Sequence, residues 1–469
     1  MSVPVVILGA GPAGLGAAMR LADRAAFQVT VLEKALSVGG NAGGFELEGI
    51  PVDFGSHRLH PACRADILAD IRRMLGPDLL LRPRHGRIKL RGRWIHFPLK
   101  PVDLLLRLPP SFVAGVAGDA VKKFVARPTG EHATFAAVLE AGLGRTICRD
   151  FYFPYARKIW GVTPDGLDPV QARRRVSAGS LSKMVRKALS ALPGVRSEHT
   201  GRFFYPRGGF SQISRAYHRA CVERGVDVRF DCRISSIDVC NGRVRSVSVD
   251  GGRTRLPAQV VLSTIPLPVL VQMITPSPPA EVLASTRALQ YRSMVLIYLA
   301  LETNRFTEFD AHYFPGPDVS ITRLSEPKNY GLWNRPGVTV LCAELPCSTD
   351  SPWWAASDSE LSALVLRDLE TAGLPVRAQV RAVAVRRLAQ AYPIYTKSYR
   401  EHFDHIDQWV GTLDGLLTFG RQGLFAHDNT HHTLAMAYAA AECLSDEGNL
   451  DRARWAAHRR EFESHVVED

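Results

Sequence analysis

The sequence predicts an α/β protein: a parallel-sheet nucleotide-binding domain assembled from separated pieces of the chain, with a discontinuous α+β domain inserted between them. Three observations predict it. Residues 3–33 read as strand, glycine turn, helix and strand, because an apolar run, a glycine cluster, an Ala/Leu-rich stretch and a β-branched alternation follow one another. A strand-rich block at about 226–268 and an Ala-rich helical stretch near the C-terminus supply further pieces of the same character. Residues 76–202 and 269–404 differ, being rich in Arg, Pro and aromatics with helical patterns such as Ala133–Ala141 and Asp358–Thr371. A Rossmann-type domain is therefore expected over 1–75, 203–268 and 405–469, and a substrate domain over 76–202 and 269–404.

In chain order, Val3–Leu8 is an apolar strand, a helix continues to about Arg24, and "FQVTVLE" alternates as the second strand. The run "RPRHGRIKLRGRWIHFPLKP" places seven Lys or Arg in the 19 residues 82–100, alternating with Ile88 and Leu90 around a turn at Gly92. It reads as a basic hairpin, either a solvated face or a positive rim that draws an anionic substrate. The runs "VDLLLRLPPSFVAGVAG" and "AQVVLSTIPLPVLVQMI" are broken by Arg or Pro and fall short of a spanning helix, so no transmembrane segment is expected. Both read as buried core, and for the first a helix lying on a membrane surface stays open as peripheral contact. "GVDVRFDCRISSIDVCNGRVRSVSVDGG" alternates apolar and polar residues and turns at Asn241-Gly242 and Gly251-Gly252. "AQVVLSTIP" adds a buried strand, and "HDNTHHTLAMAYAAAECL" reads as a helix capped from Asp428, Asn429 or Thr430.

The chain has 469 residues, 46% of them hydrophobic, enough for two packed cores. Its 58 Lys and Arg against 46 Asp and Glu give a net charge of +12. These basic residues are scattered, without an arginine-rich tail or interleaved aromatics, so an anionic small molecule is the expected partner and nucleic acid is not. Eight cysteines show neither a C-x-x-C pair nor a zinc-type histidine spacing and read as reduced structural thiols. Met1 runs directly into an apolar strand with no signal-peptide pattern, which places the protein in the cytoplasm.

Gly9-x-Gly11-x-x-Gly14 follows a strand and opens a helix, the context a dinucleotide fingerprint requires. Gly9 permits the tight turn, Gly11 lets a pyrophosphate approach the helix N-terminus, and Gly14 lets helix and strand pack closely. Glu33 ends the second strand where it accepts from a ribose hydroxyl; Lys34 beside it and Val228 in the second block are counted with the cofactor-binding positions. NAD and FAD both fit these residues. A paired glycine about six residues beyond Glu33, Gly39-Gly40, resembles the extended fingerprint of two-domain flavoproteins and selects FAD.

With "GGNAGGFELEGIPVDFGSHRLHP" the chain resembles the amine oxidase and protoporphyrinogen oxidase flavoprotein superfamily, and within it most closely the UDP-galactopyranose mutases. The resemblance runs nearly end to end. It implies an inserted substrate domain, FAD bound in part by Gly39-Gly40-Asn41, and His57 and His60 near the flavin as catalytic residues. "FPYARKIWG" resembles the segment that lines the nucleotide pocket, implying Tyr155 and Trp160 as substrate-binding residues, with Arg174 or Arg175 after it on a diphosphate. "DVSITRLSE" implies Arg323 at the flavin edge or the substrate. "FGRQGLFAHDNTHH" resembles the last cofactor-contacting segment, implying Gly420, Arg421, Asn429 and Thr430 for FAD and His427 in place of a tyrosine. "FFYPRGGF" carries Arg207 in a form closer to the oxidase and desaturase relatives.

Three functions stay open. One is a mutase-like reaction on a nucleotide-linked sugar or related anionic molecule, with arginines steadying the diphosphate. Another is an oxidase or dehydrogenase that removes a hydride from a C–N, C–C or C–OH carbon. The last is a flavin-binding protein without turnover. No metal is implied, since His57 and His60 have no third ligand at useful spacing. Trp160 reads either as core or as a stacking platform.

Overall fold

The computed structural model describes residues 2–98, 103, 106–125, 134–175, 201–333 and 335–467, with the backbone alone at 123–125, 174 and 175. A five-stranded parallel sheet has the order Leu416–Thr418, Val260–Ser263, Val3–Leu8, Phe27–Leu32, Asp227–Arg229. Its strands come from segments far apart in sequence; Val3–Leu8, Val260–Ser263 and Leu416–Thr418 are β-branched or leucine-rich and almost wholly buried, as a covered parallel sheet demands, while Asp227–Arg229 at the other edge is part-exposed. The helix Pro12–Ala22 covers one face together with Gln212–Glu223 and Thr430–Glu442. Its small residues allow close packing: a Cβ on Gly16 would lie 2.9 Å from Leu434 and 3.2 Å from Ala437.

A second sheet of seven strands has the order Val380–Ile394, Gln290–Leu301, Thr339–Cys347, Arg323–Ser325, Ala311–Tyr313, Gly86–Leu90, Arg93–Phe97. It is antiparallel except where Ala311–Tyr313 runs alongside Gly86–Leu90. The expected hairpin forms its edge, turning through Arg91 and Gly92 at φ of 50° and 75°, with Ile88 and Leu90 buried. Two of the hairpin cations are held by acids, Lys89 by Asp318 and Arg91 by Asp150, while Arg87 donates to His312 and lies over Trp94. The helix Asp358–Thr371 lies against this sheet and starts with a full capping box from Ser357 and Glu360.

Two details differ from the sequence expectation. The strand Leu79–Pro83, expected in the insert, pairs with Arg202–Pro206, and the helices Leu267–Gln272 and Tyr399–Gly411 run through the expected boundaries at 268 and 404. In the run expected as core that leads into the helix Pro110–Val125, Leu108 and Phe112 are buried but Leu106 is exposed, so this run is not wholly buried core. Among the described residues no helix is long and apolar enough to cross a membrane.

The first strand, turn and helix make two glycines separable by stability. A Cβ on Gly14 would lie 1.9 Å from the Gly9 carbonyl oxygen, whereas one on Gly11 meets only the Gly39 carbonyl at 3.9 Å. Gly14→Ala should cost about 1–3 kcal/mol by forcing the helix off the strand, and Gly11→Ala should change stability by less than about 1 kcal/mol. Urea denaturation of the two cofactor-stripped variants checks this; equal losses would refute it.

Candidate functional site

The opening turn is braced from three sides. Gly9 adopts φ of +99° against Thr264, a conformation that favours glycine. The Glu33 carboxylate is buried and accepts from the backbone N–H groups of Ala10 at 2.8 Å and Ala35 at 2.9 Å. Each of its oxygens keeps a second lone pair, so a ribose hydroxyl can still donate to it. Gly39 donates its N–H to the Ala10 carbonyl at 2.9 Å, and Gly39 and Gly40 both take positive φ, which folds the second glycine loop over the first. From the C-terminal side, a Cβ on Gly420 would lie 2.9 Å from that of Ala13.

These surfaces fit a dinucleotide. The space that a Gly11 side chain would fill lies at the N-terminus of the helix Pro12–Ala22, where backbone N–H groups and the helix dipole favour a diphosphate. Asn429 precedes Thr430, the first residue of the helix Thr430–Glu442, giving a second helix N-terminus packed on the same helix. Lys34 is exposed, and Val228 sits on the outer strand in register with Val31.

The expected substrate-side residues gather around Tyr392, which the sequence reading did not single out. Trp160 and His427 meet edge to face at 4.9 Å between ring centroids, with Tyr392 at 5.7 Å from Trp160 and 6.3 Å from His427. The Arg421 guanidinium lies 5.0 Å from the Tyr392 ring and donates to the Ala391 carbonyl at 2.9 Å. Arg323 stands beside Glu344 and within electrostatic reach of Tyr392 and Tyr155. His57, Tyr155, Arg323, Tyr392 and Arg421 are part-exposed, whereas Trp160 and His427 are buried behind them.

Glu344 is the second residue that sequence reasoning missed. Its Oε1 accepts from Arg323 Nε at 2.9 Å and from the Ser56 N–H at 2.9 Å, tying the strand Thr339–Cys347 to the loop that carries His57. Although burial opposes the charge on Arg323, Glu344 beside it holds the guanidinium above its ordinary value. One signal for Glu344 was available: it is the lone charge in a strand, TVLCAELPC, that is otherwise apolar or small and buried throughout. No such signal marks Tyr392.

His57 shares its Nε2 with the Phe54 carbonyl at 2.9 Å and stacks on Phe210 at 5.3 Å. A carbonyl cannot donate, so Nε2 carries the proton and Nδ1 keeps a lone pair in the neutral ring. Burial, opposed by Asp53, holds the His57 pKa below the ordinary imidazole value. His60 does not pair with it: its Nδ1 accepts from the Ala62 N–H and its ring faces His431 at 6.4 Å.

The remaining expected residues are placed as follows. Arg207 does not reach the cluster; it sits in the turn after Arg202–Pro206, half exposed and 3.5 Å from Asp78. Arg174 and Arg175 end the helix Pro169–Arg175, and their side chains lie outside the described residues. Asn41 donates to the Gln390 carbonyl at 3.2 Å and so serves the junction between the two sheets. Trp160 is 2% exposed, too enclosed to present a face for stacking. A possible ligand set was also missed: the fold brings Asp428, His432 and His465 together.

The helix Phe153–Trp160 owes its position to Lys158, whose ammonium donates to the carbonyls of Phe314, Gly316, Val319 and Ile321. Removing the Trp160 ring from this packing, as Trp160→Ala, should cost about 3–5 kcal/mol of stability, read by urea denaturation; a cost below 1 kcal/mol would mean the ring is not core. Gly11→Val should instead leave the melting transition of the apoprotein in place and abolish the bound dinucleotide's absorbance. A fully coloured Gly11→Val protein would refute the assignment.

Among curated proteins the chain is similar to the zeta-carotene-forming phytoene desaturase of Myxococcus xanthus, at 26% identity over 325 residues, 66% of this chain. The match spans 62% of the desaturase, less than two thirds of its length. Among solved structures the fold is similar to a reduced UDP-galactopyranose mutase, with a TM-score of 0.79 at 19% identity over 94% of this chain and 93% of the mutase. It is also similar to a putative protoporphyrinogen oxidase from Exiguobacterium sp. 255-15, with a TM-score of 0.74 at 20% identity over 94% and 98% of the two chains. The model of the flavin containing amine oxidoreductases matches residues 12–441, which take in Gly14, the Gly39-Gly40 loop, the Tyr392 cluster and all but the last residue of the helix Thr430–Glu442: the chain belongs to this family of enzymes, with FAD as its cofactor.

Proposed function

We propose that the enzyme removes a hydride equivalent from a C–N, C–C or C–OH carbon of a neutral or weakly charged small molecule bound beside Tyr392, with His57 taking the accompanying proton. The state of Arg323 carries this reading. Its charge is matched by Glu344 within the protein, while Arg207 pairs with Asp78 at the surface. Arg207 therefore stands apart from the other arginines expected on a diphosphate. Tyr155, Tyr392 and His57 are part-exposed, and each lies within electrostatic reach of Arg323. A group held neutral with a lone pair at Nδ1 suits a proton acceptor near neutral pH. FAD, when bound on the glycine loops, supplies the two-electron acceptor, and oxygen or another oxidant takes the pair onward.

The reaction belongs, on this reading, between a nucleotide-binding domain of residues 1–75, 203–268 and 405–469 and a substrate domain of 76–202 and 269–404. Eight cysteines without a disulfide support a cytoplasmic setting. A second reading is a redox-neutral rearrangement of a nucleotide-linked sugar. It is favoured by Arg323 and Arg421, two guanidinium groups that both neighbour Tyr392.

Anaerobic addition of amine, alcohol and alkene candidates should bleach the oxidised flavin without dithionite. His57→Ala should keep its flavin and bleach about 10²–10⁴-fold more slowly. Turnover of a nucleotide sugar only after dithionite reduction, with no bleaching by any candidate, would overturn hydride removal in favour of the second reading.

A further inference from the structure

The C-terminal segment folds back onto the start of the helix Thr430–Glu442 and builds there a group that the flavin chemistry does not use. Asp428 lies just ahead of that helix, His432 in its first turn, and His465 beyond the helix Arg452–Phe462. One ligand atom from each falls within 4.8 Å of the others. Asp428 Oδ2 is 3.3 Å from His465 Nδ1, and Oδ1 is 3.9 Å from His432 Nδ1. Ligands about 2.0–2.1 Å from one tetrahedral ion stand roughly 3.3 Å apart; the Asp428–His465 pair already has this spacing, and the other two pairs, within 4.8 Å, reach it by side-chain adjustment. The two imidazoles stack at 4.2 Å and 14°, with both Nδ1 atoms toward the carboxylate.

Charge balance gives an independent reason to expect a cation. The Asp428 side chain is 1% exposed, and its Oδ1 has no hydrogen-bond partner. Among the described residues its ion pairs are to His432 and His465, groups that are charged only when protonated. The arginines nearest this end of the helix are committed elsewhere, Arg400 to Asp404 and Glu463 and Arg459 to Asp407. A buried carboxylate oxygen without a hydrogen-bond donor is left with an uncompensated desolvation cost that a cation would meet.

We propose that Asp428, His432 and His465 form a binding site for one divalent transition-metal ion of the zinc class, leaving a fourth position to solvent. Two imidazole nitrogens and one carboxylate oxygen are the borderline donors such an ion selects over calcium or magnesium. Binding exchanges the 3.3 Å contact from the Asn429 N–H to His432 Nδ1 for a metal bond. It also fastens the C-terminal segment to a helix whose N-terminal end packs beside the glycine loops.

The test uses tag-free, FAD-loaded protein stripped with a chelator and dialysed. Calorimetric titration with Zn²⁺ should show one equivalent per chain, and Co²⁺ should give the intense visible bands of a four-coordinate ion. His465→Ala lies near the chain end, so it should retain its fold and flavin while weakening Zn²⁺ about 100-fold or more; Asp428→Asn should weaken it as well. Zn²⁺ should raise the melting temperature of the wild type and not of His465→Ala. No stoichiometric binding by the wild type, or equal affinity in His465→Ala, would overturn the site and leave the three residues as a carboxylate–histidine network.

Discussion

The whole arrangement depends on three consecutive residues at the end of one strand. Val380–Ile394 is an edge strand of the seven-stranded sheet, and its pairing with Gln290–Leu301 jumps from Leu388 opposite Met294 to Tyr392 opposite Arg292. Ser293 therefore faces Ala389, Gln390 and Ala391 together, a bulge that frees backbone carbonyls from the ladder. The Ala389 carbonyl is taken by the Ser293 hydroxyl, Gln390 by Asn41 and Gln422, and Ala391 by Arg421. An edge strand with unpaired carbonyls is ordinarily a liability. Here it is the latch that presses the insert against both ends of the nucleotide-binding domain and leaves Tyr392, the next residue, at the seam.

A second constraint fixes the opposite wall. Arg323 and Glu344 face each other across adjacent strands, so their contact follows from sheet register rather than from a flexible reach. Burying that pair is costly unless every lone pair and proton is used, and the Ser56 N–H occupies Glu344 as well. The glycine at position 55, with φ of +92°, lets the loop come this close: a Cβ there would sit 3.3 Å from Glu344 Oε1. His57 then follows two residues on, held by its own neighbour's carbonyl at Phe54. The imidazole is placed by contacts that do not involve a substrate, which is the condition for a preorganised group.

What the sequence made legible was local. The glycine spacing, the acid at position 33 and the apolar runs around them are separated by few residues, and each has a steric reason that holds wherever the motif occurs. The capped helix at Asp358 and the hairpin at Gly92 were legible for the same reason. The site was less so, because its geometry depends on register. Nothing in "LAQAYPIY" announces a bulge, and an alternating strand without one would turn Gln390 and Ala391 back into the ladder. Arg207 illustrates the converse error: a motif that looks like a binding arginine was set in a turn whose side chain points to Asp78 and water. Trp160 was resolved by burial alone, a quantity that sequence resemblance does not carry.

Seen together, these constraints separate what positions the site from what would choose its substrate. The positioning contacts are mostly to backbone: Asn41, Gln422 and Arg421 to the bulge, Lys158 to the loop Phe314–Ile321, and Glu344 to Ser56. The part-exposed side chains Tyr155 and Tyr392 come from separate segments that are each anchored by such contacts a few residues away. Exchanging either ring changes shape and polarity at the seam without disturbing the bulge or the ion pair. A fold built this way can hold its cofactor geometry constant while its substrate surface varies, and for that reason likeness of fold to a mutase and to an oxidase alike leaves the choice of chemistry to these few side chains.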